Sequence, residues 1–171
     1  MRNMTIKALC VTLLLAVLLG GAVACSSQYR SDVTAPAALD AMIASLQSAD
    51  NPEYHVADDE TYAVYFGADE AYTLVQDCRI AYHNEGTNVD QLGVFRVKEG
   101  QSVEPVRRMV QTYVDGQAEY LYGFASNYQR DELDKIEGAR VEVYGQYVVY
   151  TILSSTDRTA ATEALTAAIA K

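Results

Sequence analysis

The sequence predicts an α+β fold: a four-stranded antiparallel sheet, made of two hairpins, with helices packed on one face. Side chains alternate with period two over residues 73–82, and residues 92–98 return as the second strand of that hairpin. Residues 140–144 and 147–153 flank a two-residue turn and form the second hairpin. Between the two hairpins lies the longest stretch with helical periodicity, residues 102–124. Two hairpins separated by one long helix are typical of an α+β domain, because the helix covers the apolar face of the sheet.

Two helices are predicted before the first hairpin. The first begins at Pro36, which suits a first helical turn because the N–H groups there have no partner inside the helix. Its apolar stripe consists of Leu39, Met42, Ile43 and Leu46. The second helix is predicted over residues 59–66, with Asp58 as the N-cap and Gly67 as a left-handed stop.

The polar segment 83–88 is predicted to join the strands of the first hairpin. The long helix that follows presents one mostly apolar stripe over six turns, which we interpret as core because a helix covering a sheet requires such a stripe. The residues of this stripe are Val103, Val106, Val110, Tyr113, Val114, Gln117, Leu121 and Phe124.

The last hairpin turns at Gly145-Gln146, where glycine supplies a positive φ. If Tyr144 lies opposite Tyr147, one face of this hairpin carries Val141, Val143, Val148, Tyr150 and Ile152. We expect that face to meet the long helix. A brief helix is predicted before the hairpin, over residues 130–137, and an Ala-rich helix after it, over residues 158–170 with Asp157 as its N-cap.

The first 25 residues have the form of a lipoprotein signal peptide. Arg2 and Lys7 precede an uncharged stretch, and Ala22-Val23-Ala24 leads into Cys25. A cysteine directly after the cleavage site can carry a diacylglyceryl group, and acyl chains such as palmitate anchor a protein stably when two are present. The sequence therefore predicts a leader over residues 1–24, a lipidated Cys25 followed by a tether over residues 25–34, and a single domain over residues 35–171.

The alternative to a cleaved leader is a membrane helix that stays attached. The uncharged stretch 8–24 has 17 residues, the lower limit for spanning a bilayer, and Gly20 and Gly21 weaken it as a helix. In both cases Arg2 and Lys7 stay on the cytoplasmic side, because positive flanks do not cross the membrane. We therefore expect the body of the protein at the cell membrane, on the extracytoplasmic face.

The composition narrows the choice of partners. The chain has 13 Lys and Arg against 23 Asp and Glu, and removing Arg2 and Lys7 with the leader changes the formal charge from −10 to −12. Nucleic acid is excluded as a partner, because it requires a basic patch. Cys10 is removed with the leader and the Cys25 sulfur carries the lipid, so Cys78 has no cysteine partner in the domain. Its apolar surroundings predict a small buried side chain.

Four short strings resemble one known family. They are Tyr65-Phe66-Gly67, the string Val89–Phe95, the string Phe124–Tyr128, and Gly145-Gln146-Tyr147-Val148. Their order and spacing over residues 59–153 are similar to those of a family of small bacterial lipoproteins catalogued as domain of unknown function 4358. The resemblance implies a membrane-tethered extracytoplasmic protein, and it brings no catalytic residues.

A candidate metal or acid–base site centres on His83, near Asp77, Glu85 and Asp90, because imidazole and carboxylates are metal ligands. The spacing matches no metal motif, no Gly-x-Ser-x-Gly elbow surrounds a serine, and a histidine in a loop is ordinarily a solvated polar residue. We therefore predict no metal, no cofactor and no catalytic residues. A small metal-dependent hydrolase centred on His83 is the alternative.

The chain has 13 Tyr and no Trp. On the last hairpin, Tyr144, Tyr147, Val149 and Leu153 lie on the face opposite the predicted core, so they form an exposed patch unless a helix covers them. Tyrosine suits protein interfaces and stacking on sugars, although it is also favoured on half-buried strands. The sequence thus predicts a non-enzymatic binding module, with Tyr144, Tyr147 and Val149 as the face that engages an envelope protein or glycan.

Overall fold

A computed structural model describes residues 28–46, 54–83, 88–128 and 132–171, with the backbone alone at residues 127 and 128. The predicted leader and Cys25 lie outside these residues. The α+β architecture with an antiparallel sheet is confirmed.

The sheet has five strands in the order β1-β2-β3-β5-β4, with every neighbouring pair antiparallel. The strands are β1 (Tyr54–Val56), β2 (Val75–His83), β3 (Gln91–Val97), β4 (Arg140–Tyr144) and β5 (Tyr147–Ile152). The prediction of four strands was wrong because it missed β1. Its three residues are too few to show an alternating pattern, and the strand forms by pairing with the end of β2.

Among the described residues, five α-helices and one 3-10 helix accompany the sheet. They are α1 (Ala35–Ala44), α2 (Asp59–Phe66), the 3-10 helix Glu70–Leu74, α3 (Glu104–Tyr128), α4 (Leu133–Glu137) and α5 (Ser155–Ile169). The bounds of α2 are those predicted, and the Asp58 carboxylate caps it by accepting from Thr61 N–H at 2.8 Å. The predicted left-handed stop at Gly67 was wrong, because this residue keeps a right-handed helical conformation with a φ of −63°. Helix α5 begins earlier than predicted, because Ser154 rather than Asp157 is its N-cap: Ser154 Oγ accepts from Asp157 N–H at 3.1 Å.

Helices cover both faces of the sheet, so the prediction that they pack on one face was wrong. Helices α1 and α5 bury one face, whose residues include Leu92 and Val149. Helices α2 and α3 bury the other, whose residues include Phe95 and Tyr150. The six residues of β5 are all buried, and a strand covered on both faces has a continuous apolar run rather than clean alternation.

The register predicted for the last hairpin is confirmed: Tyr144 pairs with Tyr147, and Val143 with Val148. Gly145 has a φ of 62°, a conformation that glycine adopts without steric cost. The expected contact with the long helix is confirmed too, since Val148 and Tyr150 belong to the same core cluster as Val110 of α3.

The sheet has two distinct ends. We call the end that carries the Gly145-Gln146 turn the hairpin end, where Val97 N–H also donates to Gln146 O at 2.8 Å. We call the other end, where Gln91 pairs with Ile152, the far end. Helix α3 begins after β3 at the hairpin end and reaches the far end, where Ala125 packs with Ile152.

The segment preceding α1 is part of the folded body, which corrects the predicted tether for residues 28–34. Arg30 N–H donates to Ile169 O at 2.7 Å, and Tyr29 forms a β-bridge with Ala170. The Tyr147 hydroxyl donates to Val33 O at 2.7 Å. The segment is polar and carries no periodic pattern, so nothing local in the sequence predicts that α5 and β5 hold it.

Candidate functional site

The face predicted for interaction lies in the core. Tyr147 is 0% exposed and Val149 3%, and both pack under α1 and α5. Tyr144 is half-buried, with its ring 5.8 Å from that of Tyr29. The prediction of an exposed patch at Tyr144, Tyr147 and Val149 was therefore wrong. Many residues of α1 and α5 are alanines, whose small side chains let the two helices approach the sheet closely.

Exposed aromatic side chains lie instead on the far half of α3. Tyr120 is 73% exposed and Phe124 37%, and these residues are neighbours on one stripe because they stand four positions apart. Tyr113 and Gln117 continue the stripe toward the hairpin end. Phe124 was predicted from the sequence to lie in the core, and Tyr120 was not predicted to belong to any site.

The length of α3 relative to the strands explains why this stripe is exposed. A helix of 25 residues is about 37 Å long, whereas a strand of seven residues spans about 23 Å. The near half of the helix rests on the sheet through Val106 and Val110. Beyond Tyr113, the contacts of α3 with the body shift to Leu121 and Ala125, which turns Tyr120 toward solvent.

Neighbouring side chains extend the stripe into a wider surface. The ring of Tyr65 on α2 lies 5.3 Å from that of Tyr113. Gln91 Nε2 donates to Gln117 Oε1 at 3.5 Å, and Tyr82 pairs with Gln91 in the sheet. We call this set the aromatic surface: Tyr65, Tyr82, Gln91, Tyr113, Gln117, Tyr120 and Phe124.

The aromatic surface carries no charged side chain, and acidic residues lie beside it. Burial raises the pKa of Tyr113 to about 12, so its phenol is neutral at physiological pH. Asp58, Asp59 and Glu60 lie at the start of α2, on whose last turn Tyr65 stands. Neutral phenols and amides can stack on a sugar ring or an apolar side chain and donate or accept hydrogen bonds. Nothing in this set would bind a phosphate by charge.

The residues predicted around His83 are only partly brought together. The backbone N–H of His83 donates to Asp90 O at 2.9 Å, and its ring lies edge-on to that of Tyr54, with centroids 6.2 Å apart. Asp77 lies toward the other end of β2, where it pairs with Arg96. Glu85 is outside the described residues. No group of three side chains able to hold a metal ion occurs in the part of the chain that the structure describes.

A buried cluster of charges at the far end was missed by the sequence analysis. Asp90 is 5% exposed, and its carboxylate lies 2.8 Å from Lys135 Nζ. Lys135 also donates to Glu132 Oε2 at 2.8 Å, and the same oxygen accepts from Val89 N–H at 3.1 Å. The spacing of Glu132 and Lys135 is a visible i,i+3 signal, but Asp90 is distant in sequence, so the three-residue cluster could not be predicted.

The charge cluster fixes the far end of the fold. Burial lowers the pKa of Lys135, but hydrogen bonds with Asp90 and Glu132 raise it by more, so its net pKa is above the ordinary range and the ammonium persists. Both carboxylates and the ammonium are thus engaged with one another. The arrangement ties the short helix α4 to the start of β3, directly below the far half of α3.

Cys78 is the free cysteine among the residues described. Its sulfur lies 3.9 Å from the Tyr72 hydroxyl. Burial raises the pKa of the thiol to about 11, so the nucleophilic thiolate is scarce at neutral pH. This environment agrees with the prediction of a small apolar side chain rather than a reactive thiol.

Comparison with known proteins places these features in a family. The family model described as "Domain of unknown function (DUF4358)" matches residues 47–153. No curated protein and no solved structure is significantly similar to the chain. The match includes the whole sheet, the aromatic surface and the charge cluster, and it leaves α1 and α5 outside. Because the match covers more than half of the chain, the protein belongs to the DUF4358 family.

Proposed function

We propose that the protein is a lipid-anchored, non-enzymatic binding module on the extracytoplasmic face of the cell membrane, and that its aromatic surface engages an envelope protein or glycan. The observation that carries the proposal is the exposed pair of rings on one stripe of α3, Tyr120 and Phe124. Large aromatic side chains that stay exposed together are uncommon on a folded domain and are typical of interaction surfaces.

The composition of the surface favours recognition of a neutral partner. Tyrosine offers a rigid apolar ring with a hydroxyl at its tip, so it gains contact area at a low cost in conformational entropy. Gln91 and Gln117 add amide groups that can reorient between donor and acceptor roles. The same side chains serve for a folded protein partner and for a sugar chain.

The membrane part of the proposal is supported by the leader pattern. Arg2 and Lys7, the uncharged stretch and Cys25 follow the order of a lipoprotein signal peptide. None of the described helices has both the length and the apolarity needed to cross a bilayer. The uncharged stretch 8–24 lies outside the described residues.

A double substitution tests the binding surface. Tyr120→Ser with Phe124→Ser removes the exposed rings without touching the contacts of Leu121 and Ala125. We expect the melting temperature to stay nearly unchanged, while capture of an envelope component by crosslinking on intact cells is lost. The measurements are thermal unfolding of the purified protein, and mass spectrometry with glycan analysis of the captured material.

A matched control uses the same helix. Asp115→Ser with Glu119→Ser alters two exposed residues on the opposite side of α3. We expect this variant to capture the partner as the native chain does. Full capture by the Tyr120 and Phe124 variant, or equal loss in both variants, would contradict the assignment of binding to the aromatic surface.

The second candidate is a hydrolase centred on His83, which the proximity of His83, Tyr54 and Asp90 at the far end favours. Metal analysis of the purified protein and an activity screen of His83→Ala separate it from the binding module. A stoichiometric metal that disappears in His83→Ala would support the hydrolase and contradict the non-enzymatic proposal.

A further inference from the structure

The chain between the anchor and the folded body is very short. Cys25 is separated from Gln28, the first described residue, by Ser26 and Ser27 alone. Successive Cα atoms are about 3.8 Å apart, so the Cα atom of Gln28 lies at most about 11 Å from that of Cys25. A lipid on Cys25 therefore leaves little freedom between the bilayer and whatever holds Gln28.

Gln28 and the residues after it are held by elements at the hairpin end. Lys171 N–H donates to Gln28 O at 3.3 Å, next to the β-bridge between Tyr29 and Ala170. The ring of Tyr29 also packs on Tyr144, which precedes the hairpin turn.

Two more contacts fasten the segment farther along. The Arg96 guanidinium donates to Ser31 O at 3.0 Å, and the Tyr147 hydroxyl donates to Val33 O at 2.7 Å. Asp77 Oδ1 accepts from Ala35 N–H at 2.8 Å, which holds the first turn of α1 against the sheet. The segment is thus fixed to α5, β3, β5 and β2 before it enters the first helix.

From the short linker and the fixed segment, we propose that the protein stands on the bilayer in one orientation, with the hairpin end against the lipid headgroups and with Tyr120 and Phe124, at the far half of α3, held away from the membrane. The inference rests on the proposed lipid at Cys25. It adds that the body does not reorient freely about its anchor, and that a partner contacts Tyr120 and Phe124 at a distance from the membrane surface.

Charge supports the same orientation. The hairpin end lacks the acidic excess of the rest of the chain, because its six basic side chains are matched by six acidic ones: Arg30, Arg96, Lys98, Arg107, Arg108 and Lys171 against Asp32, Asp69, Glu70, Asp77, Glu99 and Glu104. Three carboxylates at this end are paired with arginines: Asp32 with Arg30, Asp77 with Arg96, and Glu104 with Arg107. In a chain with a strong acidic excess, this is the end that an anionic lipid surface repels least.

The direction of α3 determines how far its exposed aromatic residues lie from the membrane. The helix starts at the hairpin end, and Phe124 lies 17 positions after Arg107. At 1.5 Å per residue, this places Phe124 about 25 Å farther along the helix than Arg107. In the proposed orientation Tyr120 and Phe124 are therefore held well above the headgroups.

Spin labels on the full-length lipidated protein test the orientation. In a Cys78→Ser background, one label is placed at the hairpin end through Gln101→Cys and another on the far half of α3 through Glu119→Cys. The protein is reconstituted in vesicles of phosphatidylcholine and phosphatidylglycerol that contain a nickel-chelating lipid. We expect the relaxation enhancement from the lipid-bound nickel to be several-fold larger at position 101 than at position 119.

A lengthened linker is the matched control. Inserting about 20 Gly and Ser residues between Ser27 and Gln28 gives a linker with a root-mean-square span of roughly 25 Å. We expect the relaxation enhancements at positions 101 and 119 to become nearly equal in this variant. Equal enhancement at both positions with the native linker would overturn the inference.

The failure of the anchor and the failure of the orientation are distinguishable. The mass of the purified protein, measured first, shows whether Cys25 carries acyl chains. Absence of acyl chains overturns the proposed function and the orientation with it. Acyl chains together with equal enhancement at positions 101 and 119 overturn the orientation alone.

Discussion

At the scale of single residues, Gly93 in β3 lies directly opposite Tyr150 in β5. A Cβ atom at Gly93 would lie 2.3 Å from Tyr150 Cε1 and 3.1 Å from Ile80 Cγ1. Tyr150 is fully buried, so its ring cannot move into solvent. The absence of a side chain at position 93 is what lets this tyrosine fill the core between the sheet and α3.

The first prediction concerns this contact. Gly93→Ala should lower the free energy of unfolding by about 1–3 kcal/mol, because it overpacks a filled core. Urea denaturation measures the change. Gly116→Ala is the control: it lies in α3, where an added Cβ meets nothing within 4 Å, so it should raise stability by about 0.5–1 kcal/mol. A Gly93→Ala protein as stable as the native chain would contradict the packing described.

The second prediction concerns the charge cluster. Lys135→Met removes the ammonium and leaves Asp90 and Glu132 buried together, so the free energy of unfolding should fall by about 3–5 kcal/mol. Adding Asp90→Asn should recover part of the loss, because it removes one uncompensated charge. The measurement is chemical denaturation of both single variants and of the double variant. Strictly additive losses would show that Asp90 and Lys135 do not interact as the structure indicates.

At the scale of elements, local signals explain what could be predicted from the sequence. The bounds of α2 follow from the Asp58 cap, and the register of the last hairpin follows from Gly145, whose φ is positive. The cap of α5 was misassigned because Ser154 and Asp157 are both good capping residues, and they hydrogen-bond to each other at 2.8 Å. Strand β1 exists only through its pairing with β2, which no local pattern reveals.

The main feature that could not be predicted is that helices cover the sheet face carrying Tyr147 and Val149. These helices are α1 and α5, which lie near opposite ends of the chain and pack on each other. Both helices have many alanines and weak segregation of apolar residues, so their sequences do not show which surface they bury. As a result Tyr147 and Val149, correctly placed on one face, were assigned to solvent.

The third prediction concerns these two helices. A fragment limited to the family match, residues 47–153, lacks α1 and α5 and exposes the apolar face that they cover. Burying one large apolar side chain contributes about 1.5–3 kcal/mol, and this face carries Leu92, Val94, Tyr147 and Val149, so the fragment should not fold cooperatively. Thermal unfolding followed by circular dichroism would show a broad, non-cooperative change. A sharp transition like that of residues 28–171 would contradict the prediction.

At the scale of the whole molecule, the two sheet faces are covered by different elements. One face packs against α1, α5 and the segment 28–34. The other carries α2 and α3, and so the aromatic surface. The location of that surface could not be predicted, because the stripe of α3 reads as core throughout. Its exposure at Tyr120 depends on how far the helix extends past the sheet, a property of the assembled fold.

The account depends most directly on the state of Cys25. Intact-mass measurement of the protein extracted from the membrane fraction of cells tests it, with Cys25→Ser as the control. The account predicts a chain that has lost residues 1–24 and carries diacylglyceryl on the new N-terminal cysteine, and a Cys25→Ser chain that lacks this added mass. A native chain that retains Met1, or one that begins at an unmodified Cys25, would contradict the account.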